Sequence, residues 1–327
     1  RTLLLKVRRA SSDKKKGADV PIGAPEVLLE LSRIASSRGQ KDKADELLES
    51  AMEALAQNDA EAPRLQSKLR DQGEFALLHR VLETRLSLKQ RPRRRAAILA
   101  DKAEVLESAL ASPEEALEAR LDAVKCNPAS PVHHQAAWDL ATRLEQLDRY
   151  VSEIESLLAD TPDDDAHVRC ELLLRLGEVY EKARTDLDRA ATYYEQAEAT
   201  GVRQVDVWRA QARLAGARGD ETEQLRLLNR LASLGEDQAE TRASALYRMA
   251  EVQLASSETL AEGIDSLRKA MEDDPRMERA GMILRRAADV HPQEGELLDI
   301  YARVARETED EDLLLHYLER RSYHPSG

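Results

Sequence analysis

Three segments of this chain repeat one another at a nearly constant spacing, and this repeat constrains the fold more than any other feature. They align without gaps, and corresponding positions lie 74 and then 73 residues apart. The segments are RRRAAILADKAEVLESALASPEEALEARLDAVKCNP (93–128), HVRCELLLRLGEVYEKARTDLDRAATYYEQAEATGV (167–202) and ETRASALYRMAEVQLASSETLAEGIDSLRKAMEDDP (240–275). Such a period indicates stacked supersecondary units that bury their apolar faces against neighbouring units.

Small residues occupy the same three places in each segment. The three sets are Ala103, Gly177 and Ala250, then Ala116, Ala190 and Gly263, then Ala123, Ala197 and Ala270. Apolar residues at i, i+3, i+4 and i+7 predict two amphipathic helices per segment, joined by a short turn. We expect the small residues to face each other across the two helices. Close packing would then offset the propensity cost of about 1 kcal/mol for glycine inside a helix.

Two turn sequences predict how particular helices begin. Ser112-Pro113-Glu114-Glu115 combines an N-cap residue, a proline suited to the first helical position and an acidic first turn. The aspartates at 163–165 predict a second capped helix start, because negative charge is favoured at that end of the helix dipole.

The middle segment carries a further pattern. Its residues, in order, are Leu176, Gly177, Tyr180, Ala190, Tyr194, Ala197 and Val202. With them the segment resembles a tetratricopeptide repeat (TPR), with one extra residue in the turn and Val202 in place of the closing proline. The other two segments keep the small residues and the proline but lack the aromatic residues. The resemblance implies an all-α fold, a right-handed α-α superhelix of about 17 antiparallel helices with a concave binding face.

More divergent hairpins are predicted between and before these segments, at 24–57, 61–89, 131–160 and 206–235. The predicted array is therefore continuous over 24–275. The repeat register then breaks, which predicts one inserted helix at 276–292 and a terminal hairpin at 293–322. We expect residues 1–23 to be a lead and flexible linker, and 323–327 to be a tail.

Composition excludes several classes of function. A formal net charge of −13 disfavours a nonspecific nucleic-acid binder, which needs a basic face. No run of 18 apolar residues occurs, so no membrane span is predicted. Cys126 and Cys170 have no zinc-ligand neighbours, and two buried or half-buried thiols in a reducing, cytoplasmic location are favoured over a disulfide.

Two further features bear on the source of the chain. It begins with Arg1 rather than Met, which predicts a fragment whose parent could carry a signal or an anchor. Of the 49 basic residues 12 are lysine, and the 37 arginines that remain indicate a GC-rich, bacterial genome.

No catalytic motif is found: there is no P-loop, GxSxG, HExxH or strand-linked GxGxxG sequence. His133 and His134 are adjacent, so on a helix their rings point about 100° apart and are poorly placed to share a metal. The sequence therefore predicts a protein that is not an enzyme and has no metal or cofactor.

The candidate binding residues follow from the TPR resemblance. In that family the residue after the small position of the first helix lines the concave face, which here gives Glu104, Glu178 and Glu251. The position two before the small residue holds Asp101 in the first segment, and Arg175 and Arg248 in the other two. We include Arg175 and Arg248, with Tyr247, among the groove candidates. Three glutamates along one groove would suit a basic peptide; alternatively, each glutamate pairs with an arginine of a neighbouring helix.

The densest basic cluster is KQRPRRR at 89–95, with candidates Arg91, Arg93, Arg94 and Arg95. It falls at a turn and a helix start, where positive charge opposes the dipole. One interpretation is a solvated turn whose arginines pair with acidic neighbours. The other is a docking patch for an acidic partner or RNA, although no aromatic residues interleave it for base stacking. Trp138 and Trp208 are interpreted as core residues, with a surface hot spot as the alternative.

These observations favour a non-enzymatic scaffold that binds a protein, as a peptide or a helix, in a concave groove. A structural spacer or oligomerisation segment of a longer repeat protein is the alternative, and an apolar edge without a polar cap would favour it. An RNA-processing scaffold of the half-repeat type is a weaker hypothesis, because the acidic charge opposes it.

Overall fold

The computed structural model describes residues 23–57, 59–274 and 277–322, with the side chains of Asp59, Glu236 and Glu278 excepted. The chain divides into two compact units, residues 1–161 and 162–327. Most of the predicted lead and linker, the predicted tail at 323–327, and Pro275 at the end of the third repeat lie outside the described residues.

The first unit contains eight α-helices within its described part. They are α1 (Ala24–Ser37), α2 (Lys41–Gln57), α3 (Ala62–Asp71), α4 (Phe75–Ser87), α5 (Pro92–Ser108), α6 (Pro113–Cys126), α7 (Pro131–Arg143) and α8 (Leu147–Asp160). Consecutive helices pack as hairpins: α1 against α2, α3 against α4, α5 against α6, and α7 against α8. A short 3-10 turn, Asp59–Glu61, precedes α3.

The second unit contains nine α-helices within its described part. They are α9 (Ala166–Lys182), α10 (Leu187–Ala199), α11 (Gln204–Arg218), α12 (Glu221–Ala232), α13 (Ala239–Gln253), α14 (Leu260–Asp273), α15 (Glu278–Val290), α16 (Gly295–Glu307) and α17 (Glu311–Ser322). The described helices therefore number seventeen, and the predicted all-α helical-repeat fold is confirmed. The right-handed superhelical path stays a prediction.

Packing within the second unit follows the repeat. First helices contact their own partners, and two of them also contact the next first helix: α9 packs on α10 and α11, and α13 packs on α14 and α15. Helix α15 thus lies where the first helix of another hairpin would lie, and it contacts both α16 and α17. The three helices predicted beyond residue 275 are present; their division into an inserted helix and a terminal hairpin stays a prediction.

The small residues of the repeat are buried, as the close-packing argument requires. Ala103, Ala116, Ala123, Ala190, Ala197, Ala250 and Ala270 have no exposed surface, and Gly177 and Gly263 are buried with them. The ring of Tyr194 lies directly over Gly177, where an added Cβ would collide with ring carbons. Glycine at 177 therefore makes room for a fully buried tyrosine on the facing helix.

Helix starts in the two units use different residues. In the second unit Asp165, Asp186 and Asp220 accept hydrogen bonds from the backbone N–H three residues on, at 3.3, 3.1 and 3.0 Å. These are ordinary N-caps, and the predicted cap at 163–165 is found at Asp165. Ser112 lies at the N-cap of α6, but its side chain makes no capping bond and its hydroxyl faces the Leu110 carbonyl at 3.4 Å.

The hairpin turns repeat in backbone conformation as well as in sequence. A left-handed residue closes the first helix of the divergent hairpins at Gly73, Glu145 and Gly219, with φ of 70°, 58° and 74°. Glycine adopts this conformation without a steric penalty, whereas glutamate does not. Among the described helices, none combines the length and the apolar composition that a membrane span requires.

Candidate binding groove

The predicted glutamates are held in ion pairs. Glu178 on α9 lies 2.6 Å from Arg175, 3.5 Å from Lys182 and 3.9 Å from Arg213, and its side chain is mostly buried. Its negative charge is therefore compensated within the array rather than presented to solvent.

The other two glutamates are paired as well. Glu251 lies 2.7 Å from Arg248, one turn earlier on α13. In the first unit, the exposed Glu104 lies 3.4 Å from Arg70 of α3. Ion pairs of this kind weaken the case for a free acidic surface at these positions.

Two buried carboxylates escaped the sequence analysis. Glu171 has no exposed surface and accepts hydrogen bonds from Arg203 and, at 2.7 Å, from Arg175 Nε. Glu181 accepts two bonds from Arg213, at 2.7 and 2.9 Å. Glu171–Arg203 and Glu181–Arg213 are both separated by 32 residues, about one hairpin. Opposite charges one hairpin apart were the signal that could have found them.

Tyr194 completes the second buried pair. Its hydroxyl donates a 2.7 Å hydrogen bond to Glu181 and accepts a 3.1 Å bond from Arg213. Burial, together with the bond to the Glu181 carboxylate, raises the pKa of the Tyr194 hydroxyl far above its usual value. The three side chains join α9, α10 and α11, so they hold the next hairpin in place.

A cavity of about 220 Å³ opens between α11, α13 and α15. Four arginines line it: Arg209 and Arg213 from α11, Arg248 from α13 and Arg279 from α15. We call this the arginine pocket. Leu228, Leu231, Ala212 and Ala245 supply apolar surface, and Gln224, Thr241 and Ser244 supply neutral polar groups. No carboxylate occurs among the described residues of its lining.

Three of the four arginines pair with carboxylates outside the pocket, and the fourth is held by a residue of the pocket lining. Arg213 is fixed by Glu181, Arg248 by Glu251, and Arg209 lies 3.6 Å from Asp206. Arg279 donates a 3.1 Å hydrogen bond to the Ser244 hydroxyl, and its guanidinium lies 5.6 Å from the centre of the Tyr247 ring.

A second cavity, of about 160 Å³, lies next to the arginine pocket, between the end of α13 and α15. It is lined by Leu254, Ala255, Ile283, Ala287 and Val290, together with Glu251 and Arg286. We call this the apolar pocket, and the two pockets together the binding groove. Arg248 and Glu251 lie on successive turns at the end of α13, and Ala255 follows just beyond that end. Arg279, Ile283 and Arg286 lie on successive turns of α15. Val290 is 56% exposed, which is high for a large apolar side chain.

The structure thus brings together only some of the predicted groove residues. Arg248 lines the arginine pocket and Glu251 the apolar pocket, whereas Arg175 and Glu178 line neither. Tyr247 is buried and lines a neighbouring cavity with Asp273; this cavity shares Ser244 and Arg279 with the arginine pocket. Burial and the nearby Asp274 raise the pKa of Tyr247 well above its usual value.

The basic cluster lies in the first unit at the start of α5. Arg91, Arg93 and Arg94 are exposed, whereas Arg95 is half-buried and donates a 2.7 Å hydrogen bond to the Leu86 carbonyl. Arg95 therefore ties α5 to the end of α4. The docking role of this cluster stays a prediction.

His134 and the two cysteines lie in surroundings typical of packing rather than of catalysis. His134 is buried, with its ring nitrogens 3.0 Å from the Tyr150 hydroxyl and 2.8 Å from the Pro128 carbonyl. Cys126 and Cys170 are free thiols whose pKa values are raised by burial. Within the described ranges, no group of three His, Cys, Asp or Glu side chains is arranged to hold a metal ion.

The two tryptophans are half-buried. Trp208 of α11 packs beside the core formed by α11 and α12, and the Arg230 guanidinium lies 5.6 Å from the centre of its ring. Trp138 of α7 is likewise half-buried, in the first unit.

Comparison with known proteins gives structural matches only. No family model and no curated protein sequence matches the chain. A tetratricopeptide repeat protein from Parabacteroides merdae matches over 80% of this chain and 98% of its own, at 15% identity and a TM-score of 0.43. A structure of Naa15/Naa10 bound to HypK-THB matches over 100% and 69%, at 13% identity and a TM-score of 0.38.

A human IFIT1 dimer with m7Gppp-AAAA matches over 98% of this chain and 81% of its own, at 17% identity and a TM-score of 0.35. Similarity at this level carries no argument about function. The described hairpins, with small residues buried at the repeated positions, are by themselves those of a TPR-like helical-repeat fold.

Proposed function

We propose that this protein is a non-enzymatic scaffold that binds a segment of another protein in the groove between α11, α13 and α15. The observation that carries the proposal is the groove itself, in which an arginine pocket and an apolar pocket follow one another along α13 and α15. Stacked helical hairpins offer a surface of this kind without any loop having to order.

The lining of the groove is better suited to binding than to catalysis. Its described residues include a single carboxylate, Glu251, and no histidine or cysteine. Glu251 is ion-paired with Arg248, so no free acid and base face each other there. Guanidinium groups beside aliphatic surface are instead typical of the residues that dominate binding interfaces.

A random twelve-residue peptide display library, selected on the full chain, tests this function. We expect enrichment of related peptides on the parent chain, and loss of that enrichment with Ser244→Trp, because Ser244 is exposed at the arginine pocket. Ala261→Trp adds the same ring at an exposed position of α14 outside the groove and should leave enrichment unchanged. Enrichment that survives Ser244→Trp, or no enrichment at all, would overturn the proposal.

A structural spacer or oligomerisation role is the second candidate, favoured by exposed apolar side chains on α15 and α17. Met282, Leu315 and Leu318 are 62%, 60% and 53% exposed. If they join copies of the chain, light scattering should show an assembly that the Leu315→Lys, Leu318→Lys double variant reduces to monomers. A monomeric parent chain at concentrations near 100 µM, roughly the range of weak association, would remove the oligomerisation role.

A further inference from the structure

We infer that the binding groove recognises an acidic protein segment that also carries a large apolar side chain, and not the basic segment that the glutamates alone would suggest. This inference rests on the proposed function and names the chemistry of its partner. Three features support it: the arginine donors, the absence of carboxylates from the described lining of the arginine pocket, and the distance between the two pockets.

The arginines keep donors available for a ligand. A guanidinium carries several N–H groups in a rigid fork, and one carboxylate uses only some of them. Arg248 gives Nη1 to Glu251 and is still 50% exposed at its side chain. Arg279 gives Nη1 to a neutral hydroxyl. The arginine pocket is therefore preorganised for oxygen anions, because its donors are already oriented.

The sign of the charge at the pocket is opposite to that of the whole chain. The chain carries a net charge of −13, yet the carboxylates that hold these arginines lie outside the pocket. A basic ligand there would leave guanidinium groups facing like charge. An acidic side chain instead gains charge-assisted hydrogen bonds close to apolar surface, where they are stronger than in water.

The apolar pocket supplies the second half of the recognition. Nine residues separate Ala245 in the arginine pocket from Leu254 in the apolar pocket, which corresponds to about 13 Å along a helix. The exposed Val290 would be covered by an apolar ligand side chain and gain from removal of that surface from water. The acidic and apolar side chains of the partner should thus lie about four residues apart if the segment is extended, and about nine if it is helical.

RNA could in principle supply the negative charge, but the groove favours protein. Sites for single-stranded nucleic acid combine a basic groove with aromatic rings on which bases stack, and no aromatic residue occurs among the described residues that line either pocket. A ribose-phosphate chain carries no apolar side chain that could fill the apolar pocket. The net negative charge of the protein also opposes approach of a long polyanion.

The display selection is analysed for composition, and one enriched peptide is then titrated by fluorescence anisotropy. We expect enriched peptides to carry Asp or Glu and one large apolar residue at the spacing given above. Arg248→Glu should weaken binding by about tenfold or more, because it places like charges together. Arg226→Glu is the matched control: Arg226 is similarly exposed and also pairs with a glutamate three residues away, but it lies on α12 outside the groove.

Two further measurements test the apolar pocket by itself and distinguish a peptide ligand from RNA. Val290→Lys should weaken binding by roughly threefold to tenfold, and Val132→Lys, an exposed valine of the first unit, should not. A peptide with Lys for Glu should regain affinity for Arg248→Glu. A twelve-residue polyuridine strand should bind more weakly than the peptide.

The results distinguish this inference from the proposed function. Enrichment that requires an open groove but yields basic or neutral peptides would overturn the inference and leave the scaffold function standing. Equal effects of Arg248→Glu and Arg226→Glu would do the same. Polyuridine binding that matches the peptide and falls with Arg248→Glu would assign the groove to RNA, whereas loss of all enrichment would remove the proposed function itself.

Discussion

The hairpins α9–α10 and α13–α14 share a repeat register but differ at their centres. In the first, Glu181, Tyr194 and Arg213 form a largely buried, hydrogen-bonded set. Counting 73 residues on, the corresponding positions are Leu254, Leu267 and Arg286. There the two leucines are buried together and the arginine is exposed.

The difference shows how one aromatic residue determines the polar residues around it. Tyr194 is fully buried, so its hydroxyl requires a partner, which Glu181 supplies. A buried carboxylate in turn requires a cation, which Arg213 supplies from the next hairpin. Leu267 has no hydroxyl, so neither partner is needed at α13–α14. Both arrangements fill the space beside a small residue, which is the requirement they share.

Removal of the Arg213 guanidinium should give the largest loss of stability among these predictions. Arg213→Ala leaves Glu181 buried beside Tyr194 without its positive partner, and we expect a loss of about 2–3 kcal/mol in the free energy of unfolding. Arg286→Ala, at the corresponding exposed position, should cost less than about 0.5 kcal/mol. Urea denaturation followed by circular dichroism compares the two, and equal midpoints would show that the buried set contributes nothing specific.

A larger side chain at Gly177 should give the second largest loss of stability. Gly177→Leu places a side chain where the Tyr194 ring lies, and overpacking should cost about 1–3 kcal/mol. The double change Gly177→Ala, Tyr194→Leu copies the Ala250–Leu267 pair of the other hairpin and should be less destabilised than the sum of its single changes. Ala217→Leu, at an exposed position of α11, controls for the larger side chain. Thermal midpoints that do not move with Gly177→Leu would contradict the observed packing.

The stability of the α13–α14 hairpin should depend on pH through the carboxyl group of Asp273. A hydrogen bond from Arg242 lowers the pKa of the Asp273 carboxyl below its usual value. A lowered folded-state pKa adds stability above the unfolded value, near pH 4, and this stability is lost as the pH falls through the folded value. Asp273→Asn should therefore cost about 1 kcal/mol at pH 6 and progressively less below pH 4.

The corresponding position in α9–α10 is Thr200, which does not titrate. Thermal melts of Thr200→Ala against the parent chain should accordingly show a difference that is the same at pH 6 and pH 3. If Asp273→Asn also lowers the thermal midpoint equally at pH 6 and pH 3, the Asp273–Arg242 pair does not make the stability of this hairpin depend on pH.

The smallest expected effect concerns the turns. Glu145 in the first unit has the left-handed conformation that Gly219 has in the second. Glu145→Gly should stabilise the chain by about 0.5–1 kcal/mol, and Gly219→Ala should destabilise it by a similar amount. The two variants measured side by side in urea should move in opposite directions; movement in the same direction would show that turn conformation is not the cause.

Much of the fold could be predicted because its signals are local. The small residues and the capping aspartate at 165 lie within single hairpins, and helix periodicity is readable over a dozen residues. The 73–74-residue period spans two hairpins but is visible by direct alignment of the sequence with itself. Ser112 shows a limit at short range: its residue type is right for a cap, but its hydroxyl faces a carbonyl instead. The groove was less predictable, since only Arg248 and Glu251 among its residues follow from the TPR resemblance.

The sequence alone determined that this protein is a helical repeat, because burial of small residues at a fixed period leaves few other ways to pack amphipathic helices. Only the tertiary structure decided where its charge lies. Glu171 and Glu181 find their arginines 32 residues away on a neighbouring hairpin, and Arg279 lies across from Arg248 only because α15 packs on α13. Long charged side chains reach partners in several directions, and composition gives only their sum. That sum is acidic, whereas the pocket between α11, α13 and α15 is lined with arginine.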